Sequence, residues 1–242
     1  MSDVTSNPYE APKADVNAQS VVAGTSGSLE DALAGRYNFE IGDVMREAWN
    51  LTRGMKASFW GAAVVVYAIL IVLALVAGSL AGKGGVMQFV PSILLGTLGP
   101  VLFIGLVMMG VRRAAGLPVS AATAFSCFDQ ALTVLLASLI STLFIYIGFV
   151  LILIPGMYLA VAYCMTMPLI ADRRLTPWQA IETSRKAVTK RWFSFFGLFL
   201  VVGLVIFGSA LTLGIGLIWT APWSINVIGV AYRRTFGVVQ TT

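Results

Sequence analysis

The sequence predicts an all-α integral membrane protein, with six transmembrane helices in three helix-hairpin repeats and amphipathic helices at the interface. Three observations carry that expectation. Of 242 residues, 58% are hydrophobic and only 11% charged, too apolar for a soluble globular domain. The apolar residues concentrate after Ser58 in runs close to the roughly 20 helical residues that cross a hydrocarbon core. Finally, the arginine pairs Arg112-Arg113, Arg173-Arg174 and Arg233-Arg234 recur at spacings of 61 and 60 residues, each closing a long apolar stretch. With six crossings, fifteen of the sixteen Lys and Arg residues fall on one face, leaving Lys83 on the other. The positive-inside rule reads that face as cytoplasmic, with both termini on it.

Residues 1–27 are rich in small and polar residues without hydrophobic period, which predicts a disordered cytoplasmic tail. An apolar core early in the chain, as a cleaved signal peptide needs, is missing. Within the tail, Asn7-Pro8-Tyr9-Glu10-Ala11-Pro12 holds an exposed aromatic ring between prolines that favour extended backbone. Asn7, Pro8, Tyr9 and Pro12 are therefore candidate partner-docking residues. Residues 28–57 form a cytoplasmic or interfacial helical segment. Ser28 is its first N-cap, with Asp31 at the capping-box position. Further on, Ile41, Val44, Met45, Ala48 and Trp49 recur with helical period between charged residues, predicting an amphipathic helix lying at the interface. Trp49 and Trp60 suit the headgroup level.

The transmembrane domain covers residues 58–236, with spans at 58–81, 92–111, 131–153, 156–171, 194–213 and 216–232, and a short C-terminal tail at 237–242. Pro155-Gly156 and Gly214-Ile215-Gly216 are the expected outer turns, because tight helix reversals use Gly and Pro. Pro100 kinks the second span unless neighbours satisfy the freed carbonyl, and residues 86–98 are open to a re-entrant alternative. The repeat goes beyond the arginines. At an offset of 60, Leu151, Leu153 and Gly156 match Leu211, Leu213 and Gly216. Leu117-Pro118 and Thr176-Pro177 each start a polar-apolar helical segment, with Thr176 as cap, Pro177 at the first helical position and Gln179 completing a capping box. The expected unit is an interfacial helix, a span, an outer turn and a return span ending in Arg-Arg.

The chemistry implied is sparse. Histidine is absent, which removes the commonest proton shuttle and metal ligand. Neither an HExxH motif, a GxSxG elbow nor a phosphate-binding glycine loop is present. Cys127 and Cys164 show no metal or redox spacing and read as reduced packing residues. No catalytic, cofactor or metal residue is expected, and no ionisable residue falls near the middle of a span. Asp129 reads as an interfacial acid, and Asn226, the deepest strongly polar side chain, as the donor or acceptor of an interhelical hydrogen bond. The net charge of +5 belongs to helix flanks, so anionic lipid headgroups and not nucleic acid are the expected counterpart. Arg112, Arg113, Arg173, Arg174, Arg233 and Arg234 are the candidate contacts for those headgroups, or serve only to set topology.

The tail NPYEAP, the stretch GSLEDALAGRY and the closing GVAYRRTFG resemble bacterial multi-pass inner-membrane proteins of the YciC type. More distantly, they resemble the membrane domain attached to some glycerophosphoryl diester phosphodiesterases. The resemblance implies a bacterial cytoplasmic-membrane protein with six helices and no assigned reaction, and the phosphodiesterase's catalytic domain has no counterpart here. The functional expectation is a non-enzymatic adaptor or membrane-organising protein with a basic cytoplasmic face, membrane lipids around it and a cytoplasmic or membrane protein as partner. The alternative is a transporter or lipid-handling protein for an apolar cargo.

Overall fold

Long runs of Leu, Val, Ile, Phe and Ala satisfy their backbone in an apolar medium only as helix. The computed structural model describes residues 27–37, 40–81, 90–151 and 153–239, and they form helices and turns without a strand. The tail motif of Asn7, Pro8, Tyr9 and Pro12, the lone Lys83 and the last three residues lie outside the described residues. In order come α1 (Leu29–Ala34), α2 (Ile41–Thr52), α3 (Lys56–Ala81), α4 (Val90–Ala114), two 3-10 turns (Ala121–Phe125 and Phe128–Gln130), α5 (Ala131–Leu151), α6 (Leu153–Ala162), α7 (Thr166–Arg173), α8 (Pro177–Lys190), α9 (Trp192–Leu211) and α10 (Leu217–Phe236).

Four helical stretches are long and apolar enough to cross a membrane: Lys56–Val76, Ala121–Leu151, Leu153–Arg173 and Trp192–Leu211. By length and composition they mark a multi-pass membrane protein. The other two expected spans differ in kind. Helix α4 runs without interruption through Pro100, so residues 90–98 continue it and are not a separate piece. Helix α10 carries Asn226, Tyr232 and two arginines, and most of it from Thr220 to Phe236 is buried by protein.

The core sits where α10 lies between α4 and α2. Helices α4 and α10 meet backbone to backbone: a Cβ on Gly110 would strike the Ile225 carbonyl, and one on Gly229 would strike Gly110 itself. Only glycine permits that approach. Helix α2 is amphipathic as expected but does not lie free on an interface. Val44, Ala48 and Thr52 are buried, and Trp223 Nε1 donates to the Met45 carbonyl at 3.2 Å, holding α2 against α10.

The local signals at helix starts are realised. Ser28 Oγ accepts from the Asp31 N–H at 3.1 Å, and Thr176 and Gln179 form the reciprocal capping box with Pro177 at the first position. Three expectations are corrected. Pro155 and Gly156 sit inside the first turns of α6 and are not the turn itself. The reversal between α5 and α6 is tighter than a loop, because a Cβ on Gly148 would come within 2.9 Å of the Gly156 backbone. The fourth span is not one helix: it breaks at residues 163–165 between α6 and α7. Pro168 explains this, since it cannot donate to the carbonyl four residues back and its ring crowds that turn. The segment after Pro118 forms short 3-10 turns where the segment after Pro177 forms a 14-residue α-helix, so the first two units differ locally.

One placement departs from six upright spans. Trp60 Nε1 donates to the Ile218 carbonyl at 3.1 Å, and Lys56 Nζ lies 5.3 Å from the Trp219 ring. The first turn of α10 therefore lies beside the start of α3. Pro222 makes the contact possible. It removes the N–H that the Ile218 carbonyl would accept, and the Trp60 indole replaces it.

Candidate functional site at the arginine-rich face

The three arginine pairs end α4, α7 and α10, where cations suit the negative end of the helix dipole. Their side chains mostly turn inward. Glu47 of α2 accepts from Arg233 Nη2, and its second oxygen accepts from Arg234 Nη2 at 2.8 Å and Nε at 3.2 Å. Arg233 Nη1 reaches the Ala114 carbonyl at the end of α4, 2.8 Å away. Arg113 donates to the carbonyls of Leu51 at 3.3 Å and Arg53 at 3.1 Å, just past α2. Glu47 and these arginines thus lock α2, α4 and α10 together. A charge-assisted network of this kind supplies the donors that free C-terminal carbonyls require and the acceptors that buried guanidinium groups require.

A second knot joins α7 to the end of α10. The Asp172 carboxylate, only 3% exposed, accepts from Tyr232 Oη at 2.7 Å and from the Val239 N–H at 3.2 Å, with Arg173 Nε 3.8 Å away. Arg173 Nη2 donates to the Phe236 carbonyl. Arg174 takes a left-handed backbone conformation (φ 53°) as the cap of α7 and pairs with Asp129 at 2.8 Å. The expected interfacial acid thus has a specific partner.

A third knot repairs the broken helix. Ser184 of α8, fully buried, donates to the Ala162 carbonyl at 2.7 Å and accepts from the Met165 N–H at 3.2 Å. These are groups that the break between α6 and α7 leaves unpaired. Next to it, Tyr37 donates to the Ala187 carbonyl at 3.0 Å, and burial pushes its phenol well above the ordinary range, so it acts as a neutral donor. Asn226, fully buried on α10, donates to Thr52 Oγ1 at 3.1 Å, the interhelical bond the sequence leads one to expect. Its Oδ1 has no partner among the described residues.

Arg112 is placed differently. Among the described residues it donates no hydrogen bond and joins no ion pair, and its Nε is buried without a partner. It lines a cavity of about 200 Å³ together with Ser126, Cys127, Gln130, Asp172 and Arg174. Met108, Leu117, Ala171, Val238 and Val239 complete the wall.

Chemically, the face offers donors and fixed positive charge. No group of three metal-binding side chains occurs among the described residues. The structure brings the six arginines onto one connected set of helix ends, and five of them are engaged with the chain's own carbonyls and carboxylates. Glu47, Asp172 and Ser184, which organise the face, carry no motif in the sequence. The available signals were slight: Glu47 is an acid on the helix that precedes the first apolar run, and Pro168 marks a break needing a partner such as Ser184. No family model, no curated protein and no solved structure matches this chain.

Proposed function

We propose that this chain is a non-enzymatic, multi-pass protein of a bacterial cytoplasmic membrane, akin to the YciC-type proteins, that presents its N-terminal tail to a protein partner. In this reading both termini and the arginine-rich face lie in the cytoplasm. The observation that supports it best is the anchoring of Gly27. Its N–H donates to the Arg233 carbonyl at 3.0 Å, and a Cβ there would strike the Thr235 carbonyl. The first 26 residues therefore leave from a fixed point on the Glu47–Arg233–Arg234 knot. A rigid platform holding a Pro- and Tyr-containing tail suits an adaptor, since it limits the orientational freedom lost on docking.

The test keeps Gly27 and removes residues 1–26. Crosslinking and affinity purification from native membranes should recover a stoichiometric partner with the full chain and lose it with the deletion, while membrane insertion persists. Replacement of Asn7, Pro8, Tyr9 and Pro12 by alanine should reproduce the loss. Identical partners for the full chain and the deletion would end the adaptor reading. The reading of a lipid-handling protein for an apolar cargo draws on the exposed apolar faces of α5, α6 and α9, where Val150 is 85% and Leu211 71% exposed. It requires lipid movement by the purified protein in reconstituted vesicles.

A further inference from the structure

We propose that the cavity beneath the ends of α4 and α7 binds one phosphate group, with Arg112 as its principal donor and Arg174 at its rim. The case starts from what the other five paired arginines do. Each of them donates to a carbonyl or carboxylate of the chain. Arg112 has no acceptor within the described residues, although its Nε is sealed from solvent. A buried donor left unmade costs about 1–3 kcal/mol, and more when it carries charge. Arg173 and Arg233 also leave a buried Nε unpaired, but both donate through their Nη groups. Arg112 is thus the one arginine of the six with no acceptor at any guanidinium nitrogen among the described residues, and it borders a cavity.

The cavity supplies the remaining requirements. Ser126 and Gln130 bring a hydroxyl and an amide to its wall, and Arg174 a second guanidinium. Met108, Leu117, Val238 and Val239 give it an apolar side. Asp172 also lines it, but that carboxylate is held by Tyr232 and Val239 and flanked by Arg173, so it is already compensated. Arg174 is likewise balanced by Asp129. The uncompensated charge is therefore the single positive charge of Arg112, which a phosphate diester or monoester neutralises with the two-pronged geometry that guanidinium groups favour. The phosphate can belong to a lipid headgroup, with its acyl part along the apolar wall, or to a free phosphate ester. Only the lipid source rests on the membrane reading given above.

Binding is measured by calorimetry on the full chain in neutral detergent, with dioctanoyl phosphatidylglycerol, dioctanoylglycerol and inorganic phosphate as probes. Phosphatidylglycerol should bind and dioctanoylglycerol should not. Arg112→Gln should weaken binding by about tenfold or more, the loss expected for one charge-assisted hydrogen bond. Its thermal midpoint should hold or rise, because an unpartnered buried donor is removed. Leu117→Trp, which fills the cavity and leaves every charge in place, should weaken binding as much. Arg36→Gln, at an exposed arginine paired with Asp31, should leave it unchanged. Displacement of the lipid by inorganic phosphate assigns the site to free phosphate esters, and lipid binding indifferent to inorganic phosphate assigns it to headgroups. Wild-type affinity in both Arg112→Gln and Leu117→Trp, or an equal loss in Arg36→Gln, would overturn the proposal. Either result leaves the tail-deletion experiment standing on its own.

Discussion

Helices α9 and α10 follow one another, and each is 20 residues long. In α9 only Phe195, Leu198 and Val202 are buried, and Leu200, Leu204, Phe207 and Leu211 stand exposed. In α10 burial extends over Thr220, Pro222, Trp223, Ile225 and onward to Phe236, and the buried set includes Asn226, Arg233 and Thr235. The helix with the purer apolar sequence touches little protein, and the helix with polar interruptions forms the core. In a membrane this is the expected division. Lipid tails are as apolar as leucine, so a uniformly apolar helix gains little by packing, whereas glycine contacts and buried hydrogen bonds give association its specificity. The same contrast separates α2, α4 and α7, tied through Glu47 and Asp172, from the α5–α6 tip, where Leu151, Leu153 and Ile154 lie exposed.

The strongest way to break this difference is to remove the acid at the centre of the α10 side. Glu47→Ala leaves Arg233 and Arg234, whose side chains are 11% and 12% exposed, without their carboxylate. Breaking a buried pair costs about 3–5 kcal/mol, and the partial exposure of Glu47 brings the expected loss to about 2–4 kcal/mol. Thermal unfolding in detergent should show the loss, and a midpoint at the wild-type value would mean that the knot contributes nothing to the core. Next comes the glycine contact. Gly110→Ala places a methyl against the Ile225 carbonyl and forces α4 and α10 apart, at about 1–3 kcal/mol. The same substitution at Gly203 of α9, where a Cβ meets nothing, should be neutral or slightly stabilising. Equal effects at the two glycines would remove the distinction between the helices.

How much of this was legible in the sequence follows the same division. Apolar length and the arginine spacing locate the long helices to within a few residues, because the requirement to satisfy backbone in an apolar medium acts on each segment alone. The caps at Ser28 and Thr176 were equally readable, being decided within four residues. What the sequence hides is which partner each polar group finds. Glu47 meets arginines 186 and 187 positions away, and Trp60 meets a carbonyl 158 positions away. Nothing local announces either meeting. The arginine pairs were readable as a set marking one face, while the engagement of five of them with the chain's own carbonyls and carboxylates and the isolation of Arg112 depend on how the helices pack around that face. Pro155-Gly156 misled as a turn because the reversal needed only two backbones in contact at Gly148 and Gly156, not a loop.

On the α9 side the expected effect is small. Leu204→Ala and Phe207→Ala remove side chains that touch detergent or lipid more than protein, so no cavity is left behind in the core. Each should shift stability by no more than about 0.5 kcal/mol, as surface substitutions usually do. A loss of several times that size would show that a second protein surface, from another copy or another chain, covers α9 in the assembled state.

The smallest effect separates the polar knots of the core from ion pairs that merely decorate a helix. Glu182 on α8 is held below its usual value of 4.5, first by its hydrogen bond from Arg185 and then by Lys186, at distances of 2.8 and 3.3 Å. Because its folded-state value is depressed, whatever stability it adds is present above pH 4.5 and is lost as the pH falls through the lower folded value. The group is open to solvent and spaced as an ordinary helix-surface pair, so screening keeps its contribution to a few tenths of a kcal/mol at most. Thermal midpoints of the wild type and Glu182→Gln should therefore differ slightly at pH 7 in low salt, converge in high salt, and converge again once the pH falls below the depressed folded-state value. Glu47→Ala should keep its deficit in high salt, since the charges it exposes are enclosed by protein. If salt erased both differences alike, the Glu47 knot would be an exposed ion pair in practice, and α10 would owe its place to glycine packing alone.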